Sequence, residues 1–300
     1  MRKSTGRHVT VNLMGGLGNQ LLQYATAQNL SRENGSPLFL NTFLLDRSPI
    51  NSSAESRKLE ITQFAYSGEI QNIGKYRTYA SMFLGLCGWF LRRCPLNGNL
   101  WIRTPNFFAD FDKLHHKKLH LTGFFTSYLY FREILPQLRI QIGEIESSST
   151  WFSRTLVEFE SQEFYAVHVR RGDYENLTDH FGLLTSVYYL SAIKKLIENY
   201  GSKRIIVFSD DLSKAKVLFQ EVPYDLEYIE PSADSSALES LILMSKSSGL
   251  VIANSTFSWW AGILSKSTAP VLYPKPFLKD AKFETRDFFP ENWISISHTF

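Results

Sequence analysis

A chain of 300 residues, 44 % apolar and 20 % charged, can fill one large or two medium-sized hydrophobic cores and is too apolar to be mainly disordered. Its formal charge of +3 and pI near 8.7 are too mild to imply a nucleic-acid partner, and no Lys/Arg run is long enough to form a basic tail. Two cysteines, Cys87 and Cys94, offer neither a disulfide framework nor a zinc spacing, which points to a reducing compartment.

In chain order, the basic start reaches a strand-like segment at once, without the apolar stretch of a signal peptide or anchor, so a cytoplasmic location is expected. Val9, Val11 and Leu13 alternate as a strand does. GGLGN then breaks the pattern, Leu21, Leu22, Tyr24 and Ala25 line a helix face, and Gly35 with Pro37 stop it before a strand at Leu38–Leu40. Gly15, Gly16 and Gly18 let a ligand or a facing backbone come close. GGLGNQ departs from the G-x-G-x-x-G dinucleotide fingerprint, and the second strand leads into Asn41 rather than an acidic ribose ligand. No redox cofactor is expected.

Residues 46–118 read as helices and loops that shape a pocket, with no clear motif. Their apolar run, Met82–Leu91, is well short of the roughly 20 residues that span a bilayer. It reads as a packing helix or, with Arg92 and Arg93 behind it, as a peripheral contact with a membrane surface. His116 and His120 have the spacing of a helical metal pair, but KLHLTGFF is strand-like, so no metal site is expected. The polar stretch Glu144–Thr150 is the expected junction between a first domain at 1–148 and a second at 149–300, with the tail from about 276 packing back on the first.

Beyond the junction, strands and helices alternate. Strands are expected at Phe164–Val169, Arg204–Phe208, Leu226–Ile229 and Leu250–Ala253. Between and after them come a helical stripe from Tyr189 to Tyr200 ended by Gly201, a helix to about Gln220, a helix at Ser236–Lys246 and a helical pattern from Trp259 to Leu264. This is the rhythm of a doubly wound parallel sheet, whose loops at 168–174, 209–211 and 254–258 fall on one carboxyl edge. Arg170 and Arg171 suit a phosphate or carboxylate, or a surface ion pair with Asp173. Ser255, Thr256 and Ser258, with the backbone N–H groups of the following helix, add donors. Asp210 or Asp211 can accept from a ribose or a guanine, with a helix N-cap as the alternative for Asp211. Two adjacent aspartates point apart and suit a shared cation poorly. Together these loops describe a nucleoside diphosphate site, while Trp259 and Trp260 read as core.

Four stretches, GGLGNQLLQYA, HVRRGDY, FSDD and ANSTFSWWAGIL, resemble glycosyltransferase family 11, the α-1,2-fucosyltransferases, in order and over most of the chain. The resemblance implies an α/β chain of GT-B architecture, with two Rossmann-like domains facing across a cleft. It implies inverting transfer of L-fucose from GDP-fucose to the 2-hydroxyl of a galactose-terminated glycan, a surface glycan or its precursor, with no metal or other cofactor. By the same resemblance Arg170 holds the pyrophosphate and stabilises departing GDP, and His168 and Asp211 contact the nucleoside, with a satisfied strand histidine as the alternative for His168. Ser255, Thr256 and Ser258 complete the phosphate cradle within the donor loop Asn254–Ser258, which includes Phe257, and Arg171 and Asp210 belong to the same donor site. Asn19, with Gly16 and Gly18, faces the donor sugar; related protein O-fucosyltransferases carry an arginine where Gly16 stands. The base stays divided. Asp173 serves either as base or as a clamp on Arg170 or Arg171, ENLTDHFG adds Glu175, Asp179 and His180, and an SN1-like path needs none. Asn51, Asn176 and Asn254 open glycosylation sequons that read as chance in a chain without a signal. The competing readings are a fucosyltransferase with another linkage or a protein acceptor, and a noncatalytic glycan- or nucleotide-binding protein.

Overall fold

The computed structural model describes residues 6–45, 57–86, 99–103, 118–145, 148–172, 174, 178–179, 181–266, 268–280 and 287–300. The readings of Asn51, Cys87, Cys94, Arg92, Arg93, His116, Asp173, Glu175, Asn176 and His180 lie outside the described residues. The chain divides into two compact units, Met1–Glu146 with Thr285–Phe289, and Ser147–Glu284 with Pro290–Phe300.

The first unit is a parallel sheet in the order β3-β2-β1-β5-β4, formed by β1 (His8–Asn12), β2 (Leu38–Asn41), β3 (Glu69–Gln71), β4 (Asn99–Arg103) and β5 (Lys118–Thr122). Two of these strands, β3 and β4, lie in the stretch expected to hold only helices and loops. β3 is three residues long, exposed and at the sheet edge, so it lacks the apolar alternation that would announce it. Helix α1 (Leu17–Glu33) follows β1 and is buried on nearly every side. It therefore encloses Gln20, Gln23, Thr26 and Asn29 as well as Leu21 and Leu22. Buried amides need partners, and those of Gln20 and Gln23 organise the glycine loop described below. At the carboxyl ends of the strands a polar chain forms. Asn12 donates to Thr122 Oγ1 at 2.7 Å, and Asn41 donates to Asn12 Oδ1 at 2.6 Å. On β5, the His120 ring stacks on Trp101 with centroids 5.4 Å apart and meets His8 edge-on. Burial, then the neighbouring charges of His8 and Lys118, lowers the His120 pKa to about 4. Helices α2 (Lys75–Leu86) and α3 (Leu135–Gly143) belong to the same unit.

The second unit is a parallel sheet in the order β11-β10-β9-β6-β7-β8. Its strands are β6 (Phe164–Val169), β7 (Arg204–Ser209), β8 (Leu226–Tyr228), β9 (Gly249–Val251), β10 (Val271–Lys275) and β11 (Ile294–Ser297). All six residues of β6 are buried, as its continuous apolar run requires of a central strand. The helices are α4 (Thr150–Ser161), α5 (Ser186–Tyr200), α6 (Leu212–Leu218), α7 (Ala237–Ser245) and α8 (Thr256–Leu264). Tyr188, Tyr189, Ile193 and Leu196 of α5 pack on Val167, Val169 and Val251 of the sheet. Trp259 and Trp260 are fully buried in α8 and are core side chains.

One buried carboxylate ties two helix starts of this unit together. Ser236 caps α7 in a reciprocal capping box with Glu239, whose Oε2 accepts from the Ser236 amide at 2.8 Å. Glu239 also accepts from the Ser149 amide and, at 3.2 Å, from the Ser149 hydroxyl, and Ser149 is the cap of α4. Replacing Glu239 with Ala strands these donors at a site only 2 % exposed. A loss of about 3 kcal/mol in unfolding free energy is expected by urea titration, with the midpoint moving and the slope unchanged.

Candidate functional site

The strands β9, β6 and β7 are neighbours, and their pairing sets their ends level. Val167 lies opposite Val251 and Val207, and His168 lies opposite Phe208. The segments leaving them, at 168–172, 209–211 and 252–258, therefore share the carboxyl edge of one sheet, as expected from the sequence.

Asp210 holds the arginine loop. Its Oδ1 accepts from the Arg171 amide and its Oδ2 from the Gly172 amide, both at 2.9 Å, and Oδ2 lies 3.1 Å from Arg170 Nη1. Three donors, one of them cationic, converge on one carboxylate from the neighbouring strand. A Cβ on residue 172 would collide with Asp210 Oδ2, which is the physical reason that a glycine stands there. Arg170 and Asp210 keep 22 % of their side-chain surface accessible, so the pair is screened without being sealed. The Arg170 guanidinium also lies 5.4 Å from the centre of the Tyr174 ring.

Arg171 points elsewhere. Its Nη2 donates to the Leu184 carbonyl at 2.7 Å, fixing the start of α5 to the loop. Asn254 likewise serves the framework, donating to the Phe181 and Gly182 carbonyls at 2.9 and 3.2 Å. Tyr174 stacks on Phe181, with centroids 4.6 Å apart, and donates to the Asn254 carbonyl at 2.9 Å. Asp211 is the N-cap of α6, accepting from the Lys214 amide at 3.0 Å, and these hydrogen bonds lower its pKa. Asp179 has a side chain 95 % exposed, 3.8 Å from Lys279.

Ser255 caps α8 through the Phe257 amide at 3.3 Å, so the helix starts at Thr256, three residues before the apolar pattern begins. Thr256, Phe257 and Ser258 occupy its first turn, which contains no acidic residue, and the helix dipole there favours an anion. Ser258 is fully buried, and its hydroxyl lies 3.4 Å from the Ala253 and Ser255 carbonyls. His168 is buried on β6 with its ring 5.5 Å from that of Phe257, and its Nδ1 has no hydrogen-bond partner among the described residues. Burial, and then the charge on Arg170, pushes its pKa down to about 3, so the imidazole is neutral near pH 7.

The glycine loop belongs to the first unit. Gly15 has φ +78°, and a Cβ there would meet Asn19 Nδ2 at 2.6 Å; at Gly16 the nearest atom to such a Cβ is Glu60 Oε2 at 4.0 Å. Gly18 and Asn19 lie in the first turn of α1. Two further residues of this motif, Gln20 and Gln23, hold the loop in place. Gln23 Oε1 accepts from the Met14 amide at 2.9 Å, and Gln20 Nε2 donates to the Gly15 and Lys58 carbonyls, each at 2.9 Å, while its Oε1 accepts from the Glu60 amide. Their signal in the sequence is a pair of glutamines on either side of Leu21 and Leu22 near the helix start. Tyr189, expected from the sequence only as part of a helical stripe, lies beneath the arginine loop, where the charge of Arg171 and the backbone of Arg170 partly offset the rise that burial causes in its pKa. Among the described residues no group of three or more His, Cys, Asp or Glu side chains is placed to hold a metal ion.

The family model described as Glycosyl transferase family 11 matches residues 102–297. Curated relatives include the alpha-1,2-colitosyltransferase of Escherichia coli, 28 % identical over 96 % of this chain and 98 % of its own length. The O-antigen biosynthesis glycosyltransferase WbnK of Escherichia coli is 28 % identical over 84 % of this chain and 89 % of its own. Galactoside alpha-(1,2)-fucosyltransferase 2 of Sus scrofa is 25 % identical over 96 % and 79 %. Among solved structures, the fucosyltransferase NodZ from Bradyrhizobium superposes with a TM-score of 0.51 at 15 % identity, covering 88 % of this chain and 93 % of that one. Arabidopsis thaliana FUT1 in complex with GDP gives a TM-score of 0.50 at 16 % identity, covering 89 % and 70 %. The structural likeness establishes a GT-B fold built from two Rossmann-like units.

Two outcomes test this geometry. Asp210→Asn turns one acceptor oxygen into a donor facing N–H groups, and is expected to cost about 2 kcal/mol of stability with a lowered melting temperature. The His168 pKa lies below its unfolded value near 6.5, so its contribution to stability is complete above that pH and is lost as pH falls toward about 3. His168→Gln should therefore flatten the fall in stability between pH 6.5 and 4, measured by urea unfolding across that range.

Proposed function

Because the chain belongs to glycosyl transferase family 11, we propose that it is an inverting transferase moving L-fucose from GDP-fucose to the 2-hydroxyl of a galactoside in a surface glycan or its precursor. The observation that carries this reading is the Arg170 guanidinium, anchored by Asp210 on the sheet edge that also bears the amino end of α8. Such an edge suits a pyrophosphate, with the neutral His168 and the Ser255–Ser258 turn contributing to the donor site.

The acceptor 2-hydroxyl oxygen bonds to the fucose anomeric carbon from the face opposite GDP. The bond from that carbon to the β-phosphate oxygen breaks, and its electron pair leaves with GDP. Arg170 and the α8 amides stabilise the negative charge that grows on the departing phosphate. The hydroxyl proton goes to a carboxylate, which we assign to Asp173, adjacent in sequence to Gly172. Asn19 and the loop of Gly16 and Gly18 are assigned to the donor sugar. Asp210, Arg171 and Asn254 act through the loops they hold, and Asp211 acts through the start of α6. No metal takes part in this scheme.

A second reading of the donor rests on the colitosyltransferase relative, whose name specifies colitose in place of fucose. A panel of both sugar donors with galactoside acceptors, followed by linkage analysis of the product, separates the two and also detects another linkage or a protein acceptor. With GDP-fucose and a galactoside, GDP release should persist in EDTA, and Arg170→Ala should lower turnover by at least about a hundredfold. Strict metal dependence, or full turnover by Arg170→Ala, would overturn the scheme. A noncatalytic sugar-binding protein would show no GDP release at all.

A further inference from the structure

Helix α2 of the first unit has its polarity reversed. Thr78 is fully buried, donating to the Gly74 carbonyl at 2.9 Å and accepting from Asn41 Nδ2 at 3.1 Å, and Ser81 is buried as well. The aromatic side chains face out: Tyr76 is 88 %, Tyr79 42 % and Phe83 65 % exposed. At roughly 100° per residue, Tyr76 and Phe83 project about 20° apart and Tyr79 about 60° from Tyr76, so the three rings share one face. Tyr79 meets Phe43 edge-on at 5.9 Å, while exposed Lys75 and Arg77 flank the face on either side. An exposed aromatic face of this kind marks an interaction surface.

Charge indicates what covers it. Residues 70–109 contain Lys75, Arg77, Arg92, Arg93 and Arg103 and no Asp or Glu. The whole chain has 32 basic and 29 acidic residues, which leaves 27 and 29 outside this stretch, so the net positive charge of the protein resides in these forty positions. A second copy seated symmetrically on α2 would bring together two faces whose charged residues, Lys75 and Arg77, are all basic, with no opposite charge to offset them. An anionic surface would attract them. Among the described residues no helix is long and apolar enough to cross a membrane, so such contact lies in the plane of the interface.

We propose that α2 docks on an anionic lipid bilayer, with Tyr76, Tyr79 and Phe83 at headgroup depth and Lys75 and Arg77 against lipid phosphates. Aromatic rings favour that depth, and each basic residue near an anionic surface strengthens binding about fivefold. The inference is independent of the donor and acceptor assigned above, because its test reads binding alone.

The test is flotation of the full chain with vesicles of phosphatidylcholine alone and of phosphatidylcholine with phosphatidylglycerol. The expected result is capture by the phosphatidylglycerol vesicles, weakening as salt rises. Lys75→Glu with Arg77→Glu, and separately Tyr76→Ser with Phe83→Ser, should each reduce capture at least about tenfold while the melting temperature stays that of the parent. Val157→Ser, at an exposed apolar position of the second unit, should leave it unchanged. Absence of capture by phosphatidylglycerol vesicles, or equal capture of the α2 variants, would overturn the proposal. So would concentration-dependent self-association in sedimentation velocity that Tyr76→Ser with Phe83→Ser removes.

Discussion

The carboxylate of Asp210 is the constraint on which the second unit's site depends. Positioned at the end of β7, it gathers the Arg171 and Gly172 amides and the Arg170 guanidinium from the end of β6. A short loop after a strand has few contacts of its own, and side-chain acceptors from a neighbouring strand are an economical way to fix one. The same logic recurs around it. Arg171 secures the Leu184 carbonyl, Asn254 secures Phe181 and Gly182, and Tyr174 closes back on Asn254. Several of the polar residues in the motif thus shape the site by supporting other segments, leaving Arg170 and the first turn of α8 as its anion-directed features.

The first unit solves the same problem with amides. Gln20 and Gln23 are uncharged, fully buried, and bonded to the backbone of the Met14–Gly15 turn and of Lys58 and Glu60. A neutral amide supplies donor and acceptor together at far lower desolvation cost than a charge, which suits side chains that are themselves sealed from solvent. The accessible arginine edge of the second unit tolerates an ion pair, because its members retain contact with solvent.

Most of the scaffold was legible in the sequence because parallel strands buried on both faces are continuous apolar runs, and FYAVHV and RIIVF are unambiguous examples. Short edge strands escape that logic, as Glu69–Gln71 shows. In the site, adjacency in sequence put Arg170 and Arg171 in one role, whereas in the fold their side chains go to different partners. The same holds for Asp210 and Asp211, one directed to the neighbouring loop and the other capping a helix. Composition identifies which groups can bind an anion. Which of them are already occupied by backbone is a property of three-dimensional neighbours that no linear spacing encodes.

The bonds that close the arginine loop span 39 and 38 residues of sequence. Contacts so distant cannot form until β6 and β7 have paired, since loop closure must precede the reward of the contact. The loop therefore takes shape with the sheet and not before it. A nascent or partly folded chain presents its arginines without this geometry, so the loop reaches its final form only once those two strands are in register.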